Sequence, residues 1–202
     1  MASPSQATRT YGWRVVDIVV TSVLGVATGI IFLGWNFVGG AGFDALDKVT
    51  PGLGGLAVGI WLIGGVLGGL IIRKPGAALA VELIAASVSA ALGSQWGITT
   101  LYSGLAQGLG AELIFLVFAY RRWGLVPAAL AGAGAAVGEW ILELFIPGNI
   151  AKSVAFNVIY LVSMVISGAV LAGGVGWALT KALAASGALS RFAAGREARA
   201  DV

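Results

Sequence analysis

Three glutamates lie inside long apolar stretches of this sequence, at Glu82, Glu112 and Glu139. Glu112 comes nine residues before Arg121, which in a helix that rises ~1.5 Å per residue places it ~13 Å from that basic end. This depth is close to the centre of a hydrocarbon layer ~30 Å thick. A charged side chain there costs ~2.5–3.5 kcal/mol, so a membrane-buried carboxylate is expected to face a ligand, a cavity or a partner.

The other two glutamates are predicted at a similar depth, because Glu82 lies eight residues after Lys74 and Glu139 lies eight residues before Pro147. Three ionised carboxylates at one depth would repel each other strongly. We therefore expect at least one of them to be protonated, or a cation to bind among them. The alternative is that each glutamate only fixes helix packing, through a hydrogen bond to a serine or a backbone carbonyl.

Polar and aromatic residues near the ends of the same stretches could complete a binding pocket. Glu143 lies one helical turn from Glu139, and Trp140 lies beside that face. Gln95 and Trp96 belong to a glycine-rich loop, and such a loop can cover a site and place an indole over a ring or a cation. The substrate-binding residues predicted from the sequence are Glu82, Gln95, Trp96, Gln107, Glu112, Glu139, Trp140, Glu143, Asn157 and Tyr160.

Four of these residues are expected to converge on one pocket in the outer half of the membrane. Glu112 and Glu139 would lie deepest, Asn157 somewhat higher, and Trp96 above them as a lid. Gln107 fits this arrangement less well, because on a helix of 3.6 residues per turn it points ~140° away from Glu112.

The tryptophans of the outer side have a second interpretation. Indole rings are enriched where a membrane meets water, and Trp96 could belong to such a belt as readily as to a lid. Trp35 and Trp61 fit the belt better than a binding site.

Several kinds of chemistry are excluded by the residues that this sequence lacks. It contains no cysteine and no histidine, which leaves no nitrogen and sulfur ligand set for zinc and no Ser-His catalytic pair. There is no GxxxxGK[ST] motif, so the chain is not expected to hydrolyse ATP by itself. The basic residues flank apolar stretches instead of forming a patch, which argues against nucleic-acid binding. We predict a protein that is not an enzyme and holds no metal or cofactor.

The composition is that of an integral membrane protein. Hydrophobic residues make up 58% of the 202 residues and charged residues 10%, with a mean hydropathy of +0.95, whereas soluble domains carry ~25% charged residues. We predict an all-α membrane protein that forms a single domain over residues 1–202, with polar tails at 1–12 and about 184–202. The N-terminal tail lacks the apolar core of a cleaved signal peptide, so none is expected.

Proline, glycine and basic turns divide the chain into six predicted membrane spans. These spans are Trp13–Trp35, Gly52–Ile72, Ala77–Leu92, Leu101–Tyr120, Leu125–Phe145 and Ser153–Leu183. The loops predicted on the outer side are Asn36–Pro51, Gly93–Thr100 and Ile146–Lys152.

The placement of lysine and arginine predicts the orientation. An even number of spans puts both termini on one side. That side holds Arg9, Arg14, Arg73, Lys74, Arg121, Arg122, Lys181, Arg191, Arg196 and Arg199, and the other side holds only Lys48 and Lys152. This division of the 12 basic residues, ten against two, predicts that both termini are cytoplasmic.

Small residues in the first span are predicted to bind a partner. Thr21, Gly25 and Gly29 are spaced by four residues and lie on one stripe, which allows another helix to approach closely.

Several stretches, taken together, resemble one family. WRVVDIVVTSVLGVATGIIFLGWN, GGLIIRKPGAALAVELIAA, LGSQWG and GLGAELIFLVFAYRRWG resemble the substrate-binding S components of energy-coupling factor (ECF) transporters. The likeness runs from about Trp13 to the sixth span, and it is greatest to the branch assigned to thiamine or its hydroxymethylpyrimidine precursor.

The resemblance implies a six-helix plasma-membrane protein that binds a vitamin from outside with high affinity. Its partners would be a membrane T component and cytoplasmic ATPase subunits, which alone would use ATP. In this family the ligand lies in the outer half, under outer loops, and small residues of the first helix contact the T component. The Thr21/Gly25/Gly29 stripe and the Gln95-Trp96 loop agree with that pattern.

The sequence also allows alternatives to a vitamin-binding S component. The main alternative is a stand-alone secondary transporter that couples a small cationic or heterocyclic solute to protons through the three glutamates. The absence of an inverted repeat argues mildly against it. A membrane enzyme and a purely structural subunit are less compatible with the residues present.

Overall fold

The computed structural model describes the backbone of residues 11–200 and the side chains of residues 11–197, and this part of the chain is helical without any β-strand. The α-helices are α1 Val15–Val49, α2 Ile63–Ile72, α3 Ala77–Ala91, α4 Thr99–Val117, α5 Leu125–Phe145, α6 Val154–Ser167, α7 Gly176–Ala185 and α8 Ala193–Ala200. Two 3-10 segments, Leu53–Leu62 and Asn149–Ala151, and one π-helical segment, Gly168–Val175, join them. The predicted all-α fold is confirmed.

Five continuous helical stretches are long and apolar enough to cross a membrane. They are Val15–Val49, Leu53–Ile72, Thr99–Val117, Leu125–Phe145 and Val154–Ala185. The predicted third span corresponds to α3, an apolar helix of only 15 residues. At ~1.5 Å per residue it is ~22 Å long, which is shorter than a hydrocarbon layer of ~30 Å.

The first helix continues well beyond its predicted end at Trp35. It runs for 35 residues to Val49, so most of the predicted loop Asn36–Pro51 is helical. A cluster of glycines had suggested a break there. The helix ends instead just before Pro51, and the Asp47 carboxylate then accepts hydrogen bonds from the backbone N–H groups of Gly52 and Gly54 at 2.9 and 3.0 Å.

The second span forms the centre of the bundle. Every residue of α2 from Ile63 to Ile72 is buried. Its glycines let neighbouring helices approach closely: a Cβ added at Gly68 would lie 2.7 Å from the backbone oxygen of Ala77 on α3. Helices α1, α3, α4, α5 and the last span therefore pack around a core helix that has almost no contact with lipid.

The small-residue stripe of α1, predicted from the sequence to bind a partner, packs against α3 inside this chain. Thr21, Gly25 and Gly29 are all buried. A Cβ added at Gly25 would lie 2.5 Å from the Cβ of Ile84, and one added at Gly29 would lie 2.7 Å from the backbone oxygen of Ala85. The close approach that the stripe allows is thus taken by α3.

We expect Gly25→Leu to destabilise the fold itself. The added side chain has to displace Ile84, and overpacking of a tight interface typically costs ~1–3 kcal/mol. Gly34→Leu is the matched control on the same helix, because nothing lies within 4 Å of a Cβ placed there. Thermal unfolding in detergent should give a lower melting temperature for Gly25→Leu and a wild-type value for Gly34→Leu; equal values for both variants would contradict this packing.

Candidate ligand-binding site

A cavity of about 720 Å³ opens at one end of the bundle. Its walls come from the C-terminal halves of α1 and α5, the end of α3, the start of α4 and the start of α6, together with the loop that contains Gln95 and Trp96. By the distribution of basic residues, this is the end predicted to face outward.

Two carboxylates from α5 reach into the cavity. Glu139 is only 5% exposed, and the side chains of Ser103 and Gln107 on α4 line the cavity near it. Glu143, one turn further along α5, lies near the Tyr160 hydroxyl. The Oε2 atoms of both glutamates are buried and have no hydrogen-bond partner among the described residues.

Tryptophans form the wall opposite these carboxylates. Trp96 meets Trp61 edge to face, with ring centroids 5.4 Å apart. The Trp61 indole N–H donates a hydrogen bond of 2.8 Å to Oδ1 of Asn36, which fixes the orientation of the ring. Trp61 therefore lines the cavity and is not simply a belt residue at the membrane interface.

A second aromatic group lies where α6 begins. The rings of Phe156 and Tyr160 stack at 5.5 Å, and Phe43 of α1 meets Tyr160 edge to face at 6.0 Å. The ammonium of Lys152 lies 4.0 Å from the centre of the Phe156 ring, which is a cation–π contact at the mouth of the cavity.

Six of the residues predicted from the sequence line this cavity. They are Gln95, Trp96, Gln107, Glu139, Glu143 and Tyr160. The structure does not bring the other four, Glu82, Glu112, Trp140 and Asn157, to its walls.

Glu112 lies at the opposite end of α4 and cannot share a pocket with Trp96. Its Oε1 accepts from the Gly76 backbone N–H at 2.7 Å, and its Oε2 accepts from Ala78 at 2.9 Å and Leu79 at 3.3 Å. The carboxylate thus caps the N-terminus of α3, where the helix dipole favours negative charge.

The sequence placed Glu112 too far from the basic end, because α4 ends at Val117 and not at the predicted Tyr120. The helix ends at Val117, after which Ala119 and Tyr120 take φ angles of 49° and 52°. The Tyr120 hydroxyl then turns back to donate to Glu112 at 2.6 Å. Burial and this hydrogen bond raise the pKa of Tyr120 well above its usual range, so the hydroxyl remains a donor at neutral pH.

Glu82 is completely buried, but one helical turn below the cavity wall. Its Oε2 accepts from the Gly65 backbone N–H at 2.5 Å, and its Oε1 has no partner within the part of the chain that the structure describes. The cavity is lined by Ala86 and Gly104 above it. Glu82 therefore joins α3 to α2 beneath the cavity.

Asn157 and Trp140 support the cavity from outside. The Asn157 amide donates to the backbone oxygen of Asn149 at 2.8 Å and to that of Ser153 at 3.2 Å, which ties the segment Asn149–Ala151 to α6. Trp140 is half-buried and packs against the core.

The sequence analysis missed several residues of the cavity. Asn36 and Phe43 were assigned to a loop because α1 was predicted to end too early. Ser103, Asn149 and Lys152 carry no motif, and only the convergence of α4, α5 and α6 reveals them.

The other end of the bundle is closed by ion pairs. Asp17 is fully buried and binds Nζ of Lys74 at 2.5 Å and Nη2 of Arg14 at 2.7 Å. Lys74 also donates to the backbone oxygen of Gly12, and the Trp13 indole donates to that of Pro75 at 3.1 Å. These contacts fasten the start of α1 to the turn between α2 and α3.

Comparisons with known proteins agree on one family. The family model described as "ABC-type cobalt transport system, permease component" matches residues 16–138. A Bacillus subtilis (strain 168) protein named as an HMP/thiamine permease, YkoE, is 38% identical over 187 residues, covering 92% of this chain and 92% of that protein.

A solved structure has the same fold. A crystal structure of an S component of an ECF transporter matches with a TM-score of 0.80 and 35% sequence identity, covering 94% of this chain and 95% of the other. The resemblance seen in the sequence is thereby confirmed over nearly the whole chain.

Proposed function

Because this chain belongs to the substrate-binding S components of ECF transporters, we propose that its cavity binds thiamine or the hydroxymethylpyrimidine part of thiamine. The chain is a multi-pass protein of the plasma membrane. It contributes ligand binding to an importer and catalyses no reaction, and it needs no cofactor of its own.

The observation that carries this proposal is an excess of hydrogen-bond acceptors in the cavity. Oε2 of Glu139, Oε2 of Glu143 and Oδ1 of Asn149 are buried without a partner among the described residues, and all three residues line the cavity. A buried polar atom without a partner is costly. The ligand is therefore expected to bring N–H or O–H donors, or a positive charge.

A thiamine-type ligand supplies these groups. Its aminopyrimidine offers donors and acceptors on one edge, which suit Glu139 and the amide of Gln107. Its thiazolium is a permanent cation, which suits the Glu143 carboxylate and the faces of Trp61 and Trp96. Hydroxymethylpyrimidine would use only the first set of contacts.

A calorimetric titration of purified protein with thiamine, thiamine phosphates and hydroxymethylpyrimidine tests the proposal. We expect thiamine and hydroxymethylpyrimidine to bind. The phosphate esters should bind more weakly, because three carboxylates, Asp44, Glu139 and Glu143, line the cavity against one ammonium, Lys152, and would repel a phosphate. No heat from either unphosphorylated compound would contradict the proposed ligand.

The arrangement in the membrane is part of the same proposal. Six crossings, with α3 as the short third one, place both termini in the cytoplasm and open the cavity outward. Residues 1–202 would form a single transmembrane domain. A membrane T component and cytoplasmic ATPase subunits, which use ATP, would complete the importer.

Cysteine labelling tests this orientation, since the chain has no cysteine of its own. Lys48→Cys is exposed at the cavity end, and Arg121→Cys is exposed at the other end. In intact cells an impermeant maleimide should label Lys48→Cys and should reach Arg121→Cys only after the membrane is broken. The reverse pattern would invert the proposed topology.

Trp96→Ala is expected to speed ligand release. The ring is 45% exposed and covers the cavity through its contact with Trp61, so its loss opens the exit path and acts mainly on the dissociation rate. Tyr102→Ala is the matched control, because Tyr102 is an exposed aromatic on α4 outside the cavity. Stopped-flow measurements should give a faster dissociation rate for Trp96→Ala alone, and an unchanged rate would remove Trp96 from the lid.

A further inference from the structure

A second, smaller pocket lies at the end of the bundle opposite the ligand cavity. Its volume is about 290 Å³. It lies where α2 ends, where α4 turns back after Val117, and where α8 folds against the bundle. The residues that line it are basic or aromatic for the most part, and none of them belongs to the ligand cavity.

Four cations line this pocket: Arg14, Arg73, Lys74 and Arg196. The carboxylates paired with them among the described residues are Asp17 and Glu197. Four positive charges less two negative charges leave an excess of two. The pocket therefore favours an anion.

Counting contacts among the described residues alone, two guanidinium groups in the pocket keep N–H groups for a further acceptor. Arg14 binds Asp17 through Nε and Nη2, which leaves Nη1. Arg196 donates through Nη1 to the backbone oxygen of Arg191 at 3.1 Å, which leaves Nη2. Arginine groups of this kind bind the oxygens of a phosphate through two parallel hydrogen bonds.

One arginine of the pocket already holds an oxyanion in that way. Nη1 and Nη2 of Arg73 bind the two carboxylate oxygens of Glu197 at 2.6 and 2.8 Å. The Glu197 side chain is 61% exposed, whereas the Arg73 side chain is only 11% exposed. An incoming anion can share the Arg73 guanidinium with this carboxylate and keep the guanidinium paired.

Aromatic rings line the rest of the pocket, and such rings are common where a membrane meets water. Trp123 lies under the Arg73 guanidinium at 5.3 Å, and Tyr11, Tyr120 and Phe192 also line the walls. Aromatic rings of this kind are enriched at the level of lipid headgroups. The pocket lies at the ends of helices that are long and apolar enough to cross a membrane, where lipid headgroups are expected.

From this combination we propose that the pocket binds the phosphate of an anionic phospholipid headgroup. Basic pockets between membrane helices bind anionic lipid headgroups in this manner. The headgroup phosphate bridges Arg14, Arg73 and Arg196, and it holds α8 against the ends of α2 and α4. The site is independent of the vitamin cavity and does not depend on which ligand that cavity takes.

Thermal unfolding of the full chain in detergent tests this site. The protein is titrated with phosphatidylglycerol, with phosphatidylcholine and with inorganic phosphate. We expect phosphatidylglycerol to raise the melting temperature in a saturable way, and phosphatidylcholine and inorganic phosphate to have no such effect. Saturation by inorganic phosphate at the same concentration would assign the site to a soluble anion and overturn the lipid proposal.

Two substitutions that change the charge of the pocket in opposite directions test whether the lipid binds there. Arg196→Gln should raise the half-saturating phosphatidylglycerol concentration about fivefold, since each basic residue near an anionic surface contributes ~1 kcal/mol. Glu197→Gln should lower it, because a competing carboxylate is removed.

Arg121→Gln is the matched control, since Arg121 is an exposed arginine outside the pocket and the change removes the same charge. It should leave the half-saturating concentration unchanged. Equal losses in Arg121→Gln and Arg196→Gln would mean a diffuse surface potential, and would overturn the proposal of a built site.

Discussion

Glu139→Gln is expected to weaken ligand binding by roughly tenfold to a hundredfold. The carboxylate is 5% exposed and has one oxygen without a partner among the described residues. A hydrogen bond to a charged group contributes ~1.5–3 kcal/mol, and ~1.4 kcal/mol corresponds to a factor of ten in affinity. Glutamine keeps the shape of the side chain but loses the charge, so isothermal titration of monodisperse protein measures this contribution directly.

Glu112→Gln is the matched control for that measurement. It makes the same chemical change in the same membrane protein, but its carboxylate caps α3 at the far end of α4. We expect wild-type ligand affinity together with a lower melting temperature. Wild-type affinity in Glu139→Gln, or a large loss of affinity in Glu112→Gln, would contradict the site described above.

Asp17→Asn is expected to cost about 3–5 kcal/mol of folding free energy, the typical effect of removing one partner from a buried ion pair. Asp17 is fully buried, and Lys74 beside it has a side chain that is only 11% exposed. Without the carboxylate, the ammonium of Lys74 stays in a desolvated position without its counter-charge. Urea or thermal unfolding of the detergent-solubilised protein should detect a loss of this size.

The ion pair between Arg73 and Glu197 provides the comparison. Its carboxylate is 61% exposed, although the Arg73 side chain is only 11% exposed, and solvent weakens a pair with one exposed partner. Glu197→Gln should therefore lower the melting temperature less than Asp17→Asn does. If both variants lost the same small amount, the closed end of the bundle would not depend on Asp17.

Local signals predicted those elements whose ends are marked in the chain. Helix α5 occupies the predicted range Leu125–Phe145, because Gly124 and Pro147 bound a mostly apolar stretch that only Glu139 and Glu143 interrupt with charge. Helix α3 begins at Ala77 as predicted, directly after the turn at Pro75 and Gly76. Here sequence and tertiary structure favour the same boundary.

Other boundaries are not marked by residue type in the sequence. The glycines after Asn36 lower helix propensity, yet α1 continues through them, with the Trp35 ring packed against Gly39. Helix α4 ends at Val117, before positive φ angles at Ala119 and Tyr120. Neither residue type favours such angles, so the sequence does not indicate this end. With α4 ending there, Glu112 lies close to the turn before α3 and caps that helix.

The candidate site was predicted only in part, because spacing shows which residues share a helix face but not which helices meet there. Glu139 and Glu143 share a helix face by spacing alone, so their joint position in the cavity follows from the sequence. The spacing of Gly25 and Gly29 indicated a close helix contact, but a spacing cannot identify the helix that makes it. The structure assigns that contact to α3.

The complete burial of α2 has a consequence for how this protein is made. The stretch Leu53–Ile72 has a mean hydropathy of 2.2, so the insertion machinery can release it into lipid as a free helix. In the finished protein it has exchanged lipid tails for neighbouring helices, and this exchange gains from shape and packing because lipid is as apolar as the protein interior. Insertion and assembly therefore respond to different properties of this segment. A bulky apolar residue at Gly68 would leave insertion intact, so every helix would still cross the membrane in its normal direction. The surrounding helices could then not pack tightly against α2.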